Sequence, residues 1–181
     1  MAINKSHSGE DVDKKCIFCL IANDQDEEAE ILKKDEELVC FKDIEPAAPH
    51  HYLVVPRKHI TSCLSLHRGH TGLVERMAEM GKAVLRDQGI TDMKDIQLGF
   101  HQAPYISVEH LHLHVLAPTT KIIWDQRNMF KPAFVTEECL RKHLKDKAPP
   151  LKYCLTDCFS CLRATSSQGG LSEKQTSQRR I

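Results

Sequence analysis

Residues 110–116 read His-Leu-His-Leu-His-Val-Leu, and this period of two constrains the fold more than any other stretch of the chain. Side chains alternate between the two faces of a strand, whereas on a helix neighbours two apart diverge. The pattern predicts an extended segment with His110, His112 and His114 on one face and Leu111, Leu113 and Val115 turned into a core. An apolar sheet face needs a cover, and the chain offers a long one. Leu66, Leu73, Val74, Met77, Met80, Val84 and Leu85 recur with helical spacing until Gly89 provides a stop.

The remaining segments fit around that pair. Glu30 to Leu32 and Glu37 to Lys42 read as the strands of a hairpin, and Tyr52 to Val55 is a short buried strand ended by Pro56. Ile96 to Phe100 and Leu111 to Leu116 supply two more strands, and Thr136 can cap a last helix to about Lys145. The expected class is α+β: a mostly antiparallel five-stranded sheet with one long helix and a C-terminal helix.

Charge locates the domain. From Lys147 to Ile181 six basic residues face two acidic ones, a net of +4, so the zero total leaves −4 on the preceding 146 residues. The boundary falls at Ala148-Pro149-Pro150. Beyond Ala164 the composition is that of a chain that cannot repay its ordering entropy. Residues 1–15 read as a disordered N-terminus, 16–146 as the domain and 147–181 as a disordered basic tail carrying Cys154, Cys158 and Cys161. Within the domain, Asn23 to Glu30 is an acidic loop that reads as solvated surface.

No apolar run reaches the length of a membrane span, and Met1 to Lys15 lacks the apolar stretch of an export signal. The expectation is a soluble chain in the reducing cytoplasm and nucleus, with its eight cysteines as thiols or metal ligands. A neutral total argues against nucleic acid as a general partner.

Nine of the eleven histidines lie between positions 50 and 114. For the triplet three readings compete. A strand face turned to solvent is the plainest, although exposed faces seldom choose histidine three times. A metal site from the triplet alone fails on reach: at about 3.3 Å per residue its ends stand about 13 Å apart, so at most two adjacent rings share an ion. The third is an anion site with a nucleophile at its centre, because neutral imidazole attacks phosphorus near pH 7 and flanking rings donate to phosphoryl oxygens.

Three alternating histidines separated by hydrophobic residues resemble the signature of the histidine triad superfamily of nucleotide hydrolases and transferases. The resemblance continues at Cys40-Phe-Lys-Asp43-Ile44-Glu-Pro46 and His51-Tyr-Leu-Val-Val-Pro56-Arg-Lys58-His59-Ile60, and covers about residues 14–146. Within the superfamily the chain looks most like the third type of nucleotide-binding protein, while Gly99-Phe100-His101 through Pro104 and Ser107 also looks like the aprataxin branch.

This resemblance implies an adenosine 5'-monophosphoramidase acting on purine nucleoside monophosphate derivatives, with His112 attacking the α-phosphate and His110 completing the triad. It further implies that His114 and Ser107 bind the phosphate and leaving group, that Asp43 holds the ribose hydroxyls, that Ile44 walls the nucleoside and that His59 helps orient the nucleophile. It implies a homo-oligomer and no cofactor in catalysis. The alternatives are removal of AMP from DNA ends and a nucleotide-binding scaffold with vestigial catalysis.

Two features stand apart. Many family members have Asn, and Gly-Gln before the serine, where this chain has Gly99 and Tyr105-Ile106. Cys16-Ile-Phe-Cys19 reads equally as two buried thiols or as half of a metal site. By resemblance to superfamily members with such a pair, Cys16, Cys19, His51 and His110 would form a structural zinc tetrahedron.

Overall fold

The structure is a computed structural model and describes Asp13, residues 15–123 and residues 134–146. Its elements are α1 (Ile17–Ala22), β1 (Ile31–Lys34), β2 (Leu38–Lys42), β3 (His50–Pro56), α2 (Thr71–Asp87), β4 (Gln97–His101), β5 (Leu113–Ala117), β6 (Phe134–Thr136) and α3 (Glu137–Lys145). The fold is α+β, and the strands form one sheet in the order β1-β2-β3-β5-β4-β6 with every adjacent pair antiparallel. The tail expected to be disordered and residues 1–12 and 14 of the N-terminal segment lie outside the described residues, as do Cys154, Cys158 and Cys161.

The sheet has six strands where five are expected. The extra one, β6, is three residues long and runs straight into α3, too short for a period of two to register. Thr136 serves both elements: it pairs with Gly99 of β4, and its hydroxyl accepts the Cys139 N–H at 3.3 Å as the cap of α3. The apolar run holding the Cys-x-x-Cys motif forms α1, which buries Phe18, Cys19, Ile21 and Ala22.

Helix α2 covers one sheet face. Met77, Val84 and Leu85 pack there with Leu38, Cys40, Tyr52, Val54, Leu111, Leu113 and Val115. A fully buried aliphatic side chain contributes about 1.5–3 kcal/mol relative to exposure, so this layer carries much of the driving force. Gly81 lets the helix come close, since a Cβ there would stand 2.6 Å from Val115. Past Asp87 the backbone turns at Gly89, whose φ of +82° is the left-handed value that favours glycine. No helix among the described residues is long and apolar enough to cross a membrane.

The opposite face carries the histidines. Leu111, Leu113 and Val115 sit in the α2 core, so the alternation predicted for the triplet holds, although β5 begins only at Leu113. His110 and His112 lie in the lead-in, where Leu111 N–H bonds the Ile60 carbonyl at 2.6 Å. Register assembles the rest: Leu53 and Gly99 both pair with His114, and His101 pairs with Phe134, so these residues share the imidazole face.

Candidate active site

His112 shows how backbone geometry sets a ring's chemistry. Its Nδ1 lies 2.6 Å from the His110 carbonyl, which can only accept, so Nδ1 carries the proton. The Nε2 lone pair is therefore the exposed base of the ring. Burial holds the ring's pKa below the usual imidazole range, which keeps that lone pair unprotonated at neutral pH. The ring of Phe18, from α1, meets His112 edge-on with centroids 5.3 Å apart.

His114 stands beside it, ring centroids 5.0 Å apart, and its tautomer is set from β3. The Ala47 N–H donates to His51 Nδ1 at 3.0 Å, so neutral His51 holds its proton on Nε2. That proton is donated to His114 Nδ1 at 2.9 Å, which leaves the proton of His114 on Nε2, a hydrogen-bond donor. Asp43 Oδ2 lies 3.2 Å from the same His51 Nε2, while its Oδ1 accepts the Glu45 N–H at 2.9 Å. Burial raises the Asp43 carboxyl, offset in part by the Glu45 bond and the nearby His112. Burial and then the neighbouring His112 push His51 down to about 4, so its bond to His114 joins two neutral rings.

His101 joins the group without having been singled out as a site residue. Its ring meets His114 edge-on at 4.7 Å between centroids, and burial followed by His112 and His51 lowers it to about 4. The sequence held a signal for it: His101 is two residues from Gly99 on β4, hence on the face paired with His114. Thr61, Ser62, Cys63 and Ile106 line a small cleft beside His101 and His112.

Ser107 is exposed in the loop that leads to the triplet, and no hydrogen bond among the described residues joins it to His112 or His114. Tyr105, in the same loop, is 57% exposed. Ile44, next to Asp43, is 92% exposed.

The metal-ligand set differs from the expectation. Cys16, Cys19, His59 and His110 cluster with all donor atoms within 4.8 Å, and His51 belongs with Asp43 and His114 instead. Register is the reason. His51 pairs with Leu116, six residues beyond His110 on an extended segment, which separates the two by about 20 Å at 3.3 Å per residue. His59 follows Pro56 and returns to the His110 end.

Cys16 and Cys19 Sγ each stand 3.4 Å from His110 Nδ1, and Cys19 Sγ stands 3.2 Å from His59 Nδ1. The Nε2–H of His110 is donated to the Pro56 carbonyl at 2.9 Å, leaving Nδ1 as the free donor atom, as an outer-shell bond does for a metal-bound histidine. Burial pushes the Cys19 thiol up to about 11, and a bound cation would favour its thiolate. Two thiols and two imidazoles at this spacing fit zinc. His59 thus sits against His110, ring centroids 5.0 Å apart.

Comparison with known proteins places the site in context. A family model described as "Scavenger mRNA decapping enzyme C-term binding" matches residues 15–130. The chain is 55% identical over 129 residues to adenosine 5'-monophosphoramidase HINT3 of Danio rerio, covering 71% of this chain and 81% of that one. It is 38% identical over 84 residues to aprataxin of Gallus gallus, covering 46% of this chain and 26% of that protein. Among solved structures, a histidine triad protein from Clostridium difficile superposes with a TM-score of 0.53 at 28% identity, covering 57% of this chain and 90% of that one.

Proposed function

Because this chain belongs to the histidine triad superfamily, in the family described as scavenger mRNA decapping enzyme C-term binding, we propose that it is an adenosine 5'-monophosphoramidase that cleaves the P–N bond of adenosine 5'-phosphoramidates, and the acyl P–O bond of aminoacyl adenylates, and releases AMP. The observation that carries this reading is the 2.6 Å bond from His112 Nδ1–H to the His110 carbonyl, which presents an unprotonated Nε2.

In the first step Nε2 attacks the α-phosphorus. A bond from Nε2 to phosphorus forms, the bond from phosphorus to the amine breaks, and the amine departs with its electron pair and takes up a proton. The Nε2–H of His114, held by His51, donates to a phosphoryl oxygen as charge builds there. Asp43 accepts from the ribose hydroxyls and Ile44 covers the nucleoside. Water then attacks phosphorus, His112 leaves as a neutral ring, and AMP is released.

Cys16, Cys19, His59 and His110 would hold zinc, whose part is to tie α1 to the first histidine of the triplet. The protein is proposed to act as a homo-oligomer in the cytoplasm and nucleus, which light scattering and localisation imaging test.

Hydrolysis of an AMP amide by the wild type and by His112→Ala is the direct experiment. The variant should fold and lose turnover by at least about a thousandfold, and acid-quenched wild type should carry an AMP adduct that the variant lacks. Parental turnover in a folded His112→Ala protein overturns the mechanism. AMP binding with negligible wild-type turnover marks a nucleotide-binding scaffold instead.

A further inference from the structure

Gly99 and Phe134 form a pair that the mechanism above does not use. A Cβ at Gly99 would lie 2.4 Å from the Phe134 ring and 2.5 Å from the Val135 carbonyl, so the ring occupies the volume that a side chain on β4 would fill. Phe134 is only partly buried. Its ring meets His101 edge-on with centroids 5.3 Å apart and comes within 6.3 Å of the His114 ring. Two strand spacings separate β6 from β5, about 10 Å, so the ring leans back over Gly99 toward the imidazoles.

The residues cross the sheet face in a line. Asp43 follows β2, His51 is on β3, His114 on β5, His101 on β4 and Phe134 on β6. A phosphoramidate has two arms on phosphorus, the nucleoside and the amine. With phosphorus over His112 and His114 and the ribose at Asp43, the amine on the far side of phosphorus points toward β4 and β6. Among the described residues that side offers the partly buried ring of Phe134 beside His101.

We infer that Phe134, admitted by the missing side chain at Gly99, is a specificity-determining residue: it forms an apolar wall for the leaving amine and favours amines with an aromatic body. This rests on the phosphoramidase reading and adds the class of leaving group. An aromatic pair is worth about 0.5–1.5 kcal/mol beyond its buried area, which is about two- to twelvefold in kcat/KM.

The test compares the phenethylamine and ethylamine amidates of AMP, whose P–N bonds differ little because both amines are primary alkylamines. Wild type should prefer the phenethylamine amidate in kcat/KM. Phe134→Leu should lower that preference about fivefold, and Phe134→Tyr should retain it. Should Phe134→Leu fail to fold, Phe134→Met, which keeps volume without the ring, is read in the same way. Absence of a preference in wild type, or an equal loss on both amidates in the variant, overturns the inference and assigns Phe134 a purely structural part. A folded wild type that cleaves neither amidate overturns the phosphoramidase reading itself, a result distinct from any change in the ratio.

Discussion

His51 and His114 share one proton across 2.9 Å between adjacent strands, and the direction of that bond is set by the Ala47 N–H on the far side of His51. A residue 63 positions earlier in the chain thereby decides which nitrogen of His114 is a donor. His51→Ala should remove that control. Leaving a buried acceptor without its donor costs about 1–3 kcal/mol, so kcat should fall about ten- to a hundredfold. KM for an AMP amide should change little, and steady-state kinetics on the folded variant checks both.

The same residue separates the two histidine groups in a metal assay. His59→Ala, Cys16→Ser and Cys19→Ser should each lower zinc content after dialysis, and His51→Ala should retain the metal. Atomic absorption on the purified proteins is the measurement. Chelation should lower Tm by about 4 °C or more, since a lost structural metal removes binding energy from the folded state only.

Acid should unfold the protein through its neutral histidines. His51 and His101 are held at about 4 against an ordinary value of 6.5. Below 6.5 the unfolded chain takes up protons at these positions, while the folded chain stays neutral until about 4. The stability is therefore fully present above 6.5 and is lost as pH falls from 6.5 toward 4. Urea titrations at pH 7, 6 and 5 should show a midpoint that drops with an unchanged m value. A flat midpoint counts against neutral, buried rings.

Gly99→Ala should loosen β6. The added Cβ would meet a backbone carbonyl at 2.5 Å as well as the Phe134 ring, and backbone cannot step aside without unpairing the strand. Overpacking of this kind costs about 1–3 kcal/mol. Denaturant unfolding reads the loss, and amide exchange at Val135 should quicken more than at Leu113.

Much of the architecture was legible in local pattern. The alternation at His110 to Val115, the helical spacing of Met77, Met80, Val84 and Leu85, and the cap at Thr136 each follow from contacts within a few residues. Those periods determined that the triplet would show one face and that one helix would cover the other. They also set His112 as the middle imidazole of that face.

The choice of His59 over His51 beside Cys16 and Cys19, the relay from Ala47 through His51 to His114, and the seat of Phe134 over Gly99 were decided by tertiary structure alone. Each depends on strand register, and register is a relation between segments tens of residues apart. His51 lies in β3 and His59 just beyond its end, and their side-chain types are identical. Only the pairing of His51 with Leu116 tells which end of β5 each one reaches, and it sends the two rings to different chemistry.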